Sequence, residues 1–121
     1  YIDGCLFKDN SNNCWALDEL STDGTGRGGA ISLMDEGSLE VKNTVFVANS
    51  ASIGTAICAI EAGIYGSPDV IIVNNTFINH TRVGDVLNVR VIGTILEIAN
   101  NTYIGNSIDN SCHNWLYYKI W

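Results

Sequence analysis

The sequence predicts an all-β fold wound as a solenoid, and three observations predict it. β-Branched residues dominate the apolar set: the 121 residues include 15 Ile and 9 Val but a single Met. Such side chains are stiff at χ1 and pack well on a pleated surface. The polar side is supplied by 14 Asn and 12 Gly, which tolerate left-handed backbone angles and mark tight turns. Finally, strand-and-turn segments recur every 26 to 39 residues, with no helical pattern between them.

The recurrence can be followed element by element. Leu39–Asn49, Val70–His80 and Leu96–Asn106 align without gaps, and Tyr1–Asn10 is a truncated first copy. Each copy runs from an alternating apolar strand through an Asn- or Gly-bearing turn to an inward aromatic, and a polar residue closes it three positions later. The aromatics are Phe7, Phe46, Phe77 and Tyr103. A second strand is expected after each: Gly28–Leu33, delayed by an insertion at about 11–27, then Gly54–Ile60, Gly84–Val91 and Trp115–Trp121. Two or three short strands per repeat and no helix make a β-helix of about four coils, in a single domain spanning 1–121. Stacked coils place equivalent residues in columns. The expected columns are the aromatics, Val41/Ile72/Ile98, and an Asn43/Asn74/Asn100 ladder.

Gly28-Gly-Ala-Ile31 followed by Phe46-Val-Ala-Asn49 resembles the GGA(I/L/V)…FxxN repeat of the chlamydial polymorphic outer-membrane proteins. Phe7-Lys-Asp-Asn10 matches FxxN, while Phe77–His80, Tyr103–Asn106 and Gly54–Ile57 are degenerate copies. The resemblance covers nearly all of the chain. It implies a right-handed parallel β-helix of the pectin-lyase-like type, placed at a cell surface and used for adhesion or structure. It implies no catalysis.

Composition narrows the partners. Thirteen acidic against six basic residues give a net charge of −7. That argues against nucleic acid and anionic membrane surfaces, and no apolar run is long enough for a spanning helix. No signal peptide opens the sequence, which suggests a mature or cytosolic chain. Nine of the acidic residues fall within residues 1–61, so the first half is far more negative than the second.

The ends suggest self-association. Both would expose an open coil with unpaired edges, and no amphipathic cap is visible at either. Tyr1 and Ile2 stand at one end, and Trp115, Tyr117, Tyr118 and Trp121 at the other. The expectation is that the last coil of one chain stacks on the first of the next, a contact that does not close and so builds a filament. The competing reading is an excised piece of a longer β-helix.

Four cysteines, Cys5, Cys14, Cys58 and Cys112, suggest disulfides and an oxidising, extracellular compartment. Three connectivities are open, of which Cys5–Cys14 with Cys58–Cys112 is one. Asn74, Asn79 and Asn100 each begin an Asn-x-Thr sequon and are glycosylation candidates. Asn79 is expected to be exposed, whereas Asn74 and Asn100 could equally form the inward ladder.

Several patterns are set aside. Gly24–Gly29 satisfies G-x-G-x-x-G, but Ala30–Leu33 reads as a strand where a dinucleotide site needs a helix. Asp18, Glu19, Asp23, Asp35 and Glu36 read as solvated loop charge, and His80 and His113 lack metal-ligand spacing. Asp69, Asp85, Arg82 and Arg90 match no defensible lyase or hydrolase arrangement. Thr44, Thr76 and Thr102 read as one column, too narrow for an ice-binding lattice.

The expected function is therefore structural: a non-enzymatic extracellular fibre subunit or adhesin-like stalk, with itself as partner, N-glycans as attachments, and neither cofactor nor metal. The alternatives are a glycan- or host-surface-binding module acting through the loop from Trp15 to Arg27, or a fragment of a polysaccharide-active enzyme.

Overall fold

A computed structural model describes residues 1–12, 26–60, 68–81, 85–91 and 95–106, with the backbone of 113–114. These residues form fourteen β-strands and no helix. The first unit holds β1 (Ile2–Asp3), β2 (Leu6–Lys8), β3 (Ser11–Asn12) and β4 (Ile31–Met34). The second holds β5 (Ser38–Lys42), β6 (Val45–Val47), β7 (Ser50–Ala51) and β8 (Ile57–Ile60). The third holds β9 (Asp69–Val73), β10 (Thr76–Ile78) and β11 (Leu87–Arg90); the fourth holds β12 (Leu96–Ala99), β13 (Thr102–Ile104) and β14 (His113–Asn114).

Each sheet collects one strand per unit. The orders are β1-β5-β9-β12, β2-β6-β10-β13 and β4-β8-β11-β14, with a two-stranded β3-β7 between the second and third sheets of the first two units. Every strand pairing among the described residues is parallel. Parallel neighbours need a long crossover, usually a helix. Here the crossover from one strand of a sheet to the next is made by strands of the other sheets.

Alternation within strands sets the core. In β5, Leu39 and Val41 are buried while Ser38 is exposed. The register places Ile2, Val41, Ile72 and Ile98 in one column, as the sequence predicts. The aromatic column is equally direct. Phe7 stacks on Phe46 with ring centroids 5.2 Å apart, Phe46 on Phe77 at 4.9 Å, and Phe77 on Tyr103 at 5.2 Å. In the third sheet Ile31, Ile57 and Leu87 align, as do Leu33, Ala59 and Val89. Burying each large aliphatic side chain contributes about 1.5–3 kcal/mol.

Left-handed corners explain the Asn and Gly content. Between the first and second sheets, Gly4, Asn43, Asn74 and Asn100 have φ of 62°, 49°, 56° and 54°. After the second sheet, Asp9, Ala48, Asn79 and Gly105 have φ of 55°, 51°, 54° and 60°. Gly28 and Gly54, before the third sheet, have φ of 65° and 60°. A Cβ at Gly28 or Gly54 would also collide with the carbonyl oxygen of Ile31 or Ile57. That is the physical content of the Gly-Gly-Ala-Ile pattern.

Of the alternatives left open for the Asn43/Asn74/Asn100 column, the structure shows exposed corner residues and not an inward ladder. Two sequence expectations are corrected. Thr44 does not share a column with Thr76 and Thr102: it occupies the position of Asn75, while Val45 pairs with Thr76. His113–Asn114 pair with Asn88–Val89 in the third sheet, and the expected strand at Trp115–Trp121 lies outside the described residues. The insertion is also partly integrated, since Ser11–Asn12 pair with Ser50–Ala51 and Arg27 bridges Ile53.

Candidate functional site

Two interior polar ladders run from unit to unit beside the apolar columns. The first contains Cys5, Thr44, Asn75 and Asn101. The Cys5 N–H donates to Thr44 Oγ1 (3.3 Å), Thr44 N–H to Asn75 Oδ1 (2.9 Å), and Asn75 N–H to Asn101 Oδ1 (2.9 Å). Asn75 Nδ2 donates to the Val41 carbonyl at 3.0 Å, and Asn101 Nδ2 to that of Ile72 at 2.8 Å. These amides satisfy backbone groups at corners where the sheet ladders stop, which is why they are stable inside a core.

The second ladder contains Asn10, Asn49, His80 and Asn106, the closing residues of the FxxN pattern. Asn10 N–H donates to Asn49 Oδ1 at 3.0 Å, and His80 N–H to Asn106 Oδ1 at 2.9 Å. Asn49 Nδ2 reaches the Phe7 carbonyl at 3.0 Å, and Asn106 Nδ2 that of Phe77 at 3.0 Å. His80 takes an amide's place: its Nδ1 is 3.1 Å from the Asn49 carbonyl oxygen and its Nε2 is 3.4 Å from that of Phe46. Burial pushes its pKa below the ordinary histidine value, against the opposing pull of those two carbonyls.

Among the described residues, the core is best covered in the second and third units. Its fully buried apolar residues all fall between Leu39 and Val91, in or beside the second and third units. Their counterparts in the first unit (Ile2, Phe7, Ile31, Leu33) and the fourth (Leu96, Ile98) are only partly buried. The exposed large apolar residues among those described are likewise confined to the outer units: Tyr1, Leu6 and Met34 on one, Ile95, Tyr103 and Ile104 on the other. Leu6 is 64% exposed, whereas Val45, its neighbour in register, is half-buried.

The expected site residues distribute as follows. Tyr1 and Ile2 stand at the outer edge of the first unit. The Tyr1 hydroxyl donates to Asp3 at 2.9 Å, and Asn43 Nδ2 reaches the same carboxylate at 2.8 Å. The Asn43 bond and then the Tyr1 bond hold Asp3 below the usual carboxylate range. Trp115, Tyr117, Tyr118 and Trp121 lie outside the described residues, as do Cys14, Cys112, Trp15, Asp18, Glu19, Asp23 and Arg82. Cys5 is an exposed free thiol and Cys58 a buried one. Burial raises the Cys58 thiol to about 11, despite the nearby charges of Arg27 and Arg90. Asn74, Asn79 and Asn100 are all exposed.

Other candidates have structural roles. Asp69 Oδ1 accepts from the Ile95 N–H in the first sheet, and Asp85 Oδ2 accepts from Asn88 Nδ2 beside the third. The structure therefore does not bring the two carboxylates together in one sheet. Among the described residues no group of His, Cys, Asp and Glu is arranged to hold a metal. The ladder residues Asn49, Asn75, His80 and Asn101 were missed by sequence reading. For Asn75 and Asn101 the available signal was parity, since two residues before an inward aromatic is again an inward position; for Asn49 and His80 it was their place as closing residues of the FxxN pattern.

Comparison with protein-family models, curated proteins and solved structures finds no match to this chain.

Proposed function

We propose that this chain is a non-enzymatic structural protein. In this reading it is a right-handed parallel β-helix of about four coils, used outside the cell in a fibre or adhesin-like stalk that grows by head-to-tail stacking. The observation that carries the proposal is that, among the described residues, the matching columns are incompletely covered on the first and fourth units. An added unit would cover those side chains by the contacts already made between units two and three. Right-handedness is favoured by the general hand of parallel crossovers. An extracellular setting is supported by three sequon asparagines that all face solvent, and the resemblance to the polymorphic outer-membrane repeats agrees with it.

The test is assembly state. Sedimentation velocity and negative-stain microscopy of the purified chain should reveal concentration-dependent linear polymers one chain wide. A single monomeric species across the accessible concentration range is the result that overturns the proposal.

A further inference from the structure

The interior ladders have a direction. In five of the six described steps the backbone N–H of one unit donates to the side-chain oxygen of the unit that follows it in sequence: Cys5 to Thr44, Thr44 to Asn75, Asn75 to Asn101, Asn10 to Asn49 and His80 to Asn106; the sixth, Asn49 to His80, meets a ring with no oxygen. The side-chain amides of Asn49, Asn75, Asn101 and Asn106 each donate to a carbonyl of the unit before, and those of Asn10 and Asn75 also reach forward to Asn49 Oδ1 and Asn101 Oδ1. The His80 ring also reaches back, to carbonyls of the second unit. A ladder side chain thus presents its oxygen to the preceding unit, and a ladder backbone presents its N–H to the following one.

The outer units are therefore chemically different ends. The first ends in acceptor positions: Asn10, whose oxygen would face a preceding unit, and Cys5, whose thiol stands where later units carry Thr or Asn. The fourth ends in donor positions, the backbone N–H groups of Asn101 and Asn106. We infer that a second copy of this chain docks with fixed polarity, the Asn106 N–H of one copy donating to Asn10 Oδ1 of the next. The inference rests on the stacking reading above and specifies its register and partner.

Two observations favour a second copy in this orientation. Head-to-head contact would set acceptor against acceptor, and tail-to-tail contact donor against donor, leaving buried polar groups unpaired at each ladder position. Head-to-head contact would also oppose two first halves, which hold nine of the thirteen acidic residues; head-to-tail contact sets each against the half with four. The first ladder, which begins at Cys5, does not continue across this junction. Cys5 offers a weak sulfur acceptor, and its Sγ lies 3.4 Å from the Asp3 carbonyl oxygen as a donor within its own unit. The junction is thus built with one ladder where interior junctions have two.

Two exposed positions on the first unit test this in the full chain. Cys5→Asn supplies the missing acceptor, and Asn10→Ala removes the existing one together with the Asn10 Nδ2 bond to Asn49 Oδ1 within the chain, while the Asn10 backbone bond to the same oxygen remains. Each junction hydrogen bond gained or lost should change the critical concentration for polymerisation about two- to tenfold. Cys5→Asn is expected to lower it and Asn10→Ala to raise it, with the monomer's circular dichroism spectrum unchanged. If wild-type chains polymerise and neither substitution moves the critical concentration, the polarity and register are wrong while stacking stands. If wild-type chains do not polymerise, both are wrong.

Discussion

His80 Nδ1 lies 3.1 Å from the carbonyl oxygen of Asn49, in a column where the first, second and fourth units carry asparagine. Both ring nitrogens face carbonyl oxygens, yet a neutral imidazole has only one N–H to give. The ring also has no carbonyl to offer the Asn49 N–H. Among the described residues, the groups facing it are the Phe46 carbonyl and Asn49, the Phe77 ring and Asn106, none of them charged.

Because burial depresses the folded-state pKa of His80, the unfolded chain binds a proton that the folded chain resists. The stability from keeping His80 neutral is complete above about pH 6.5 and is lost as pH falls from there toward the depressed folded value. His80→Asn should flatten the dependence of Tm on pH between pH 7 and 5. An unchanged slope in the variant would contradict this role.

Adjacent asparagines should behave differently. Asn75→Ala strands the Thr44 N–H and the Val41 carbonyl in the interior, with an expected loss of about 1–3 kcal/mol for each unsatisfied group. Asn74→Ala removes an exposed side chain at φ 56°, where the strain of a left-handed alanine costs about 1–2 kcal/mol at most. Urea unfolding of the two variants gives the comparison, and equal losses would refute the assignment of inside and outside.

Phe46 stacks between two rings, whereas Phe7 stacks on one of the described rings and is only partly buried. Phe46→Ala should cost about 3–5 kcal/mol, and Phe7→Ala clearly less. In a polymerised sample the difference should narrow, since a neighbouring copy would cover Phe7.

Ala48 is held at φ 51° in a column otherwise filled by Asp, Asn and Gly. Ala48→Gly should raise stability by about 0.5–1 kcal/mol. Gly54→Ala should lower it by more than that, because the added methyl meets the Ile57 carbonyl as well as an unfavourable φ. Thermal unfolding with matched controls distinguishes the signs.

Thiol labelling should be selective. Iodoacetamide at pH 8 should modify exposed Cys5 in the native protein and spare Cys58, whose thiol is buried and raised to about 11. Labelling of Cys58 should appear on addition of denaturant. Peptide mass spectrometry reads both, and rapid native labelling of Cys58 would place it at the surface.

Much of this architecture is written in the spacing of residues. The gapless alignment around Phe46, Phe77 and Tyr103 fixes which strands are neighbours, because a parallel stack can pair only equivalent segments. Alternation then fixes the inward set Val41, Ile72 and Ile98. Tertiary structure decided the roles within the Asn-Asn pairs: Asn74 and Asn75 are chemically identical, and only the left-handed corner turns the first outward and leaves the second inside. It also decided the role of His80, whose burial depends on carbonyls that come from residues 31 and 34 positions away. The direction of the ladders was likewise invisible beforehand. A list of amides records donors and acceptors alike, and only their placement between successive units determines which way each one points.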